Sequence, residues 1–187
     1  MDSFRTFIAI ELPGDVRARV AQHIASLRRE LPDVRASWSR EDNLHLTLKF
    51  LGNVPVTDIT RVSDAVARAT KSVSSFELTI SECGTFPAHG RPGVIWIGAQ
   101  ASGLQSLHAA IENELAQAGF TRDSRPFHPH LTVARLRHSQ GARELADLHK
   151  SSAFVPVAFS VSEVVVFRSE LLKQGSKHTA ISRHNLL

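Results

Sequence analysis

Residues 43–51 read Asn-Leu-His-Leu-Thr-Leu-Lys-Phe-Leu. Leu44, Leu46 and Leu48 alternate with His45, Thr47 and Lys49, so a strand over this stretch buries one face and presents an imidazole, a hydroxyl and an ammonium on the other. Gly52 is the expected end of that strand. The pattern returns in residues 127–136, Phe-His-Pro-His-Leu-Thr-Val-Ala-Arg-Leu, where His130 and Thr132 share one face and Leu131 and Val133 the other. With ten His in 187 residues, a His-x-Thr match arises by chance roughly half a time per chain. Two matches in equivalent apolar contexts call for a common cause.

Outward from these two stretches, each motif strand is preceded by a strand and a helix. Residues 5–12 form a short buried strand stopped by Pro13-Gly14, and Val16, Val20, Ile24, Leu27 and Leu31 then recur at helical spacing up to Pro32. After the first motif, Ile59, Val62, Val66 and Ala69 mark a second helix, residues 76–80 a strand, and residues 84–92 a loop. The order then restarts. Residues 93–99 are a strand, Leu104, Leu107, Ile111 and Leu115 a helix closed by Gly119, and residues 127–136 the second motif strand. A helix over residues 142–150, a strand over 159–167 and a last strand near 179–183 complete the second round. Ile8 precedes His45 by 37 residues and Ile95 precedes His130 by 35, so the chain reads as a β-α-β-α-β unit used twice within one domain, residues 1–187. Antiparallel sheets set face to face, with helices outside, satisfy this order.

Composition narrows the function. Hydrophobic residues are 42% and charged residues 21%, which supports a real core. The net charge of +4 and a pI near 9.8 suit an anionic partner without requiring one. A lone cysteine, Cys83, excludes an internal disulfide framework and favours a reducing compartment, the cytoplasm by default. No segment approaches the run of about 18 apolar residues that spans a bilayer, so no membrane role is expected.

A strand sends His45 and Thr47 to one face, and His130 and Thr132 likewise, which yields two imidazoles and two hydroxyls if the halves converge. Near neutrality one imidazole can accept a proton while its mate donates one. The hydroxyls are neutral donors suited to non-bridging phosphate oxygens. The chemistry implied is in-line displacement at phosphorus, with the acid and base roles not assignable from spacing. Lys49 either adds positive field to the same face or is a solvated strand end. His128 and His130 have the i, i+2 spacing of a ligand pair, but a third ligand is missing from the motif, and a catalytic metal is not expected.

These residues resemble the two-histidine phosphoesterases, specifically the LigT-like RNA 2′,3′-cyclic phosphodiesterases, historically called 2′-5′ RNA ligases. The resemblance runs through Arg5-Thr6-Phe7-Ile8-Ala9, residues 43–52, residues 91–98 (Arg-Pro-Gly-Val-Ile-Trp-Ile-Gly) and residues 125–135. It implies an α+β, bilobal, pseudo-symmetric fold whose two antiparallel sheets form a central cleft lined by the motifs, with no cofactor. The implied substrates are RNA ends bearing a 2′,3′-cyclic phosphate, or small cyclic nucleotides, opened by water to a 2′-phosphomonoester. His45 takes the position of the proton donor to the leaving 3′ oxygen and His130 that of the proton acceptor from water. Arg135 occupies a ligand-contacting arginine position, and Phe50 the equivalent place after His45. Both stand at an odd offset from their His, so a bulge must turn them toward the cleft. Trp38 and Trp96 read as core or edge aromatics, and Arg91 as an exposed loop arginine. The reverse reaction, 2′-5′ ligation, and a non-catalytic RNA-end binding module are the alternatives, and a monomer is expected. One departure is plain: the family commonly has a tyrosine in its last strand, where this chain has His178.

Overall fold

The computed structural model describes residues 2–137, 140–172 and 175–187. Its strands are β1 (Ser3–Glu11), β2 (Ser37–Trp38), β3 (His45–Pro55), β4 (Phe76–Phe86), β5 (Val94–Gln100), β6 (His130–Arg135), β7 (Val157–Val161), β8 (Glu163–Leu172) and β9 (Gly175–Asn185). The helices are α1 (Gly14–Glu30), α2 (Ile59–Thr70), α3 (Ser102–Gln117) and α4 (Ala142–Ser151). All strand pairs are antiparallel, and they form two sheets, β3-β1-β8-β9 and β2-β6-β5-β4-β7. The duplication is visible in this order: β1 and β3 in one sheet correspond to β5 and β6 in the other.

The halves exchange strands. β4, from the first half, pairs with β5 of the second, while β8, from the second half, pairs with β1 of the first. The strand expected over residues 159–167 is in fact two, β7 on the edge of one sheet and β8 in the interior of the other, separated at Ser162. The corner is tied by the Leu186 N–H donating to the Ser162 carbonyl at 2.8 Å. Period-two patterning gives the face of each side chain but not the sheet its strand joins. The contrast between alternating burial in β7 and the continuous buried run Val164–Phe167 in β8 is the trace that the crossing leaves in the sequence, since an interior strand covered on both faces is apolar throughout.

Three strands are longer than expected. β3 continues through Gly52 to Pro55 because Gly52 adopts φ +71° at a register slip opposite Thr6 and Phe7, so glycine here makes a bulge and not an end. β4 runs through Gly84 to Phe86, and Gly84 is required there because a Cβ would overlap the indole of Trp96 on the neighbouring strand. β9 begins at Gly175, several residues before the expected 179.

One apolar cluster joins the two sheets. Ile8, Ile10, Leu46 and Leu48 from the four-stranded sheet meet Leu78, Ile95, Leu131 and Val133 from the five-stranded one, with Val20 of α1, Val66 of α2, Leu107 of α3 and Leu145 of α4. Truncating one such residue to Ala typically costs about 2–5 kcal/mol. α2 packs on β8 and β9, α4 on β4, and α2 lies against α3. β3 and β6 approach with Cα atoms within 8 Å, so the motif strands run along the seam between the sheets. No helix among the described residues is long and apolar enough to cross a membrane.

Candidate active site at the seam of the two sheets

His45 and His130 each begin their strand, on the face opposite the shared core. Both are held in the same way. The Nδ1–H of His45 donates to the carbonyl of Asn43 at 2.7 Å, and that of His130 to the carbonyl of His128 at 2.6 Å. A carbonyl only accepts, so the proton of each neutral ring sits on Nδ1 and the Nε2 lone pair is left for chemistry. The i−2 carbonyl is local, so the strand that carries each imidazole also sets its tautomer.

The surroundings differ. His45 packs against Phe7 (ring centroids 4.7 Å) and edge-on to His178 (5.1 Å), over a small apolar cluster of Phe7, Ala9, Val165 and Phe167. His130 meets Phe86 edge-on at 4.9 Å and Trp96 at 6.3 Å. A cavity of about 430 Å³ beside His130 is lined by Phe86, Trp96, Gln100, Phe127 and His128. Burial pushes His45 down from 6.5 to about 4, opposed by its bond to Asn43 and reinforced by the neighbouring imidazole of His178. Burial also lowers His130, opposed by the His128 carbonyl and reinforced by the positive charge of Arg135. Both imidazoles are therefore mainly neutral at pH 7.

Matching bulges follow the two motifs. On β3 the pairing slips between Thr47 and Lys49, leaving Leu48 over; on β6 it slips between Thr132 and Ala134, leaving Val133 over. Each bulge inverts the alternation for the next residues. Phe50, 45% exposed, thus pairs with cleft-facing Phe7, and the exposed Arg135 returns to the side of His130. Phe50 also carries the Arg5 guanidinium 4.6 Å above its ring.

The same bulge corrects the reading of Lys49. Its side chain is 2% exposed, turned to the core, where the ammonium pairs with Glu112 of α3 and lies 3.8 Å from Asp123. Lys49 is absent from the cleft because strict alternation fails one residue before it. Trp96 is half-buried beside His130, with an indole N–H that has no acceptor among the described residues; Trp38 lies on the short edge strand β2, opposite Ala134; and Arg91 donates to the Arg137 carbonyl. His178 is legible in the sequence only as a departure from a family pattern, and its contact with His45 depends on β9, which β1 and β8 separate from β3 in the sheet.

A sequence profile of the 2′-5′ RNA ligase superfamily matches residues 15–171. The RNA 2′,3′-cyclic phosphodiesterase of Methanothermobacter thermautotrophicus is 31% identical over 94% of this chain and 95% of its own length. That of Thermotoga maritima is 30% identical over 91% of this chain and 89% of its own. Among solved structures, TT0787 of Thermus thermophilus superposes with a TM-score of 0.80 at 25% identity, covering 97% of each chain. Escherichia coli LigT complexed with 3′-AMP superposes with 0.77 at 27%, covering 99% of each. Sequence and fold agree over essentially the whole length, and the chain belongs to the 2′-5′ RNA ligase superfamily.

Proposed function

We propose that this chain hydrolyses RNA 2′,3′-cyclic phosphate ends to 2′-phosphomonoesters by metal-independent acid–base catalysis. The observation that carries the reading is the pair of His-x-Thr motifs on the seam strands, each with an imidazole locked through Nδ1 so that Nε2 is free. Relatives over 90% of the chain bear the name of this activity.

In the reaction, His130 Nε2 takes a proton from water as its oxygen adds to phosphorus. The bond from phosphorus to the 3′ oxygen breaks, and His45 Nε2 gives its proton to that oxygen. Thr47 and Thr132 donate to the non-bridging oxygens, Arg135 and Phe50 flank the nucleotide, and the enzyme works as a cytoplasmic monomer. His45 takes up the proton it needs from solvent when the substrate binds, because a phosphate monoanion beside a buried imidazole favours its charged form.

An oligonucleotide is favoured over a small cyclic nucleotide by a cavity of about 680 Å³ lined by Arg28, Arg29, Arg35, Arg137 and Trp38, away from the imidazoles but next to the end of β6. Four guanidiniums and an indole suit backbone phosphates and a stacked base. The test is incubation with a defined 2′,3′-cyclic-phosphate oligonucleotide in chelator. A 2′-phosphate product is expected; a 3′-phosphate product, or no turnover, overturns the reading.

A pH profile follows from the burial. kcat/KM reports the free enzyme, in which both imidazoles lie below 6.5, so it is expected to be bell-shaped with its maximum on the acid side of 6.5. kcat, reporting the anion-bound state, peaks at higher pH. His178→Phe removes a like charge from beside His45, raises the pKa of that imidazole and moves the corresponding limb to higher pH. A flat profile between pH 4 and 9 would contradict the assignment.

A further inference from the structure

On the helix-covered side of the five-stranded sheet, away from the cleft, His23 of α1, Cys83 of β4 and His149 of α4 bring a nitrogen, a sulfur and a nitrogen within 4.8 Å of one another. Nothing in the phosphodiesterase reading uses them.

Three features indicate a built arrangement. His149 is fully buried, and its Nε2–H donates to the Trp96 carbonyl at 2.9 Å. Its proton is thereby fixed on Nε2, and its Nδ1 lone pair points to His23 Nε2, 3.0 Å away. An imidazole whose far N–H is held by a backbone carbonyl is the usual state of a metal-bound histidine. Burial pushes the Cys83 thiol up, opposed by the hydrogen bond its sulfur accepts from the Phe154 backbone N–H, so the thiol keeps its proton until an ion displaces it.

The third feature is backbone strain. Among the described residues two non-glycines have positive φ, Glu82 at +61° and Ala153 at +36°. Glu82 directly precedes Cys83, and Ala153 directly precedes Phe154. Such conformations cost on the order of 1–3 kcal/mol each and persist where the surrounding structure enforces them. Glu82 sits at the register slip between Ser81 and Cys83. Without that bulge, alternation from Leu78 and Ile80 would point Cys83 into the cleft. With it, the sulfur faces α1 and α4.

We propose that His23, Cys83 and His149 bind one borderline transition-metal ion of the zinc class, through two imidazole nitrogens and a thiolate, with water as fourth ligand. Tetrahedral bonds of about 2.0–2.1 Å to nitrogen and 2.3 Å to sulfur set the N···N separation near 3.3 Å and N···S near 3.6 Å. The nitrogens, 3.0 Å apart, already meet this within a few tenths of an ångström, and the sulfur, within 4.8 Å of both, needs to close by no more than about 1.2 Å. Half-exposed His23 is the route of entry. On binding, the Cys83 thiol proton leaves to solvent and the His23 proton moves from Nε2 to Nδ1, so one proton is released per ion and no electron is transferred. The ion would tie α1 and α4 to the back of the catalytic sheet.

The test uses untagged full-length protein, stripped with chelator and titrated with Co²⁺ and then with Zn²⁺ against a chromophoric chelator. One ion per chain is expected, with thiolate-to-cobalt charge-transfer absorption, and zinc should shield Cys83 from a thiol reagent. Cys83→Ser and His23→Asn should each weaken binding at least about a hundredfold while leaving the circular dichroism unchanged. The double variant His45→Asn, His130→Asn should retain the ion. Absence of the charge-transfer band, or binding unaltered in His23→Asn, overturns the proposal. Should Cys83→Ser fold poorly, the wild-type band and His23→Asn still decide. None of these readouts depends on phosphodiesterase turnover.

Discussion

His45→Ala and His130→Ala are each expected to lower kcat/KM on a 2′,3′-cyclic-phosphate oligonucleotide by about 10²–10⁴, the range for one positioned acid or base. This corresponds to roughly 3–5 kcal/mol of transition-state stabilisation. In the proposed mechanism the leaving 3′ oxygen of a sugar, a poor anion, takes its proton from His45, and water, a weak nucleophile, loses its proton to His130. If the two act in one transition state, as proposed, the double variant is no slower than about the worse single one. Single-turnover kinetics with excess enzyme would separate the chemical step from binding. Additive losses in the double variant would mean that the imidazoles serve separate steps, and the concerted account would fall. His45→Ala also removes a ring packed on Phe7 and His178, so some loss of stability is expected there, and the rates are to be compared at a temperature where both variants are fully folded.

Lys49→Ala carries the largest expected effect on stability. Its ammonium is buried with Glu112, whose second oxygen accepts the Asp123 backbone N–H at 3.1 Å, and Glu112 is itself only 7% exposed. Removing the cation leaves a buried carboxylate without its partner, which costs about 3–5 kcal/mol. For a chain of this size each kcal/mol lowers Tm by about 2–4 °C, so a fall of roughly 6–20 °C should appear in thermal denaturation. Lys49→Met with Glu112→Leu removes both charges and should recover most of the loss, because apolar replacement of a buried pair is often neutral or better. A Lys49→Ala protein as stable as wild type would show that the pair is hydrated. Catalytic constants at low temperature should change little, since Lys49 points away from the cleft.

Lys49 and Phe50 also show how far residue patterns reach. Both motifs were legible, because period-two alternation around His45 and His130 is a local property and the duplication makes it stand out. The bulges after Thr47 and Thr132 were not. They are set by pairing with β1 and β5, and a one-residue slip there moves Lys49 into the core and carries Phe50 and Arg135 to the cleft. The requirement for a bulge followed from the odd offset of those two residues; its location and its consequence for Lys49 did not.

The strand exchange between halves was equally hidden. Val164–Phe167 and Ala158–Ser160 differ in pattern, but nothing local says that one joins β1 and the other β4. His178 reaches His45 only because β9 pairs with β8, and the His23, Cys83 and His149 cluster exists only because α1, β4 and α4 meet.

Local chemistry, then, was decided by the order of residues: two strands that each carry an imidazole and a hydroxyl on one face, the helices between them, and a chain with one cysteine and a mild positive charge. Those features depend on neighbours a few positions apart, where backbone geometry alone relates side chains. Register, sheet membership and the depression of both imidazoles by burial were decided by the folded molecule. They arise from pairings between residues dozens of positions apart and from the exclusion of water by the finished core, and neither exists until the whole chain has come together.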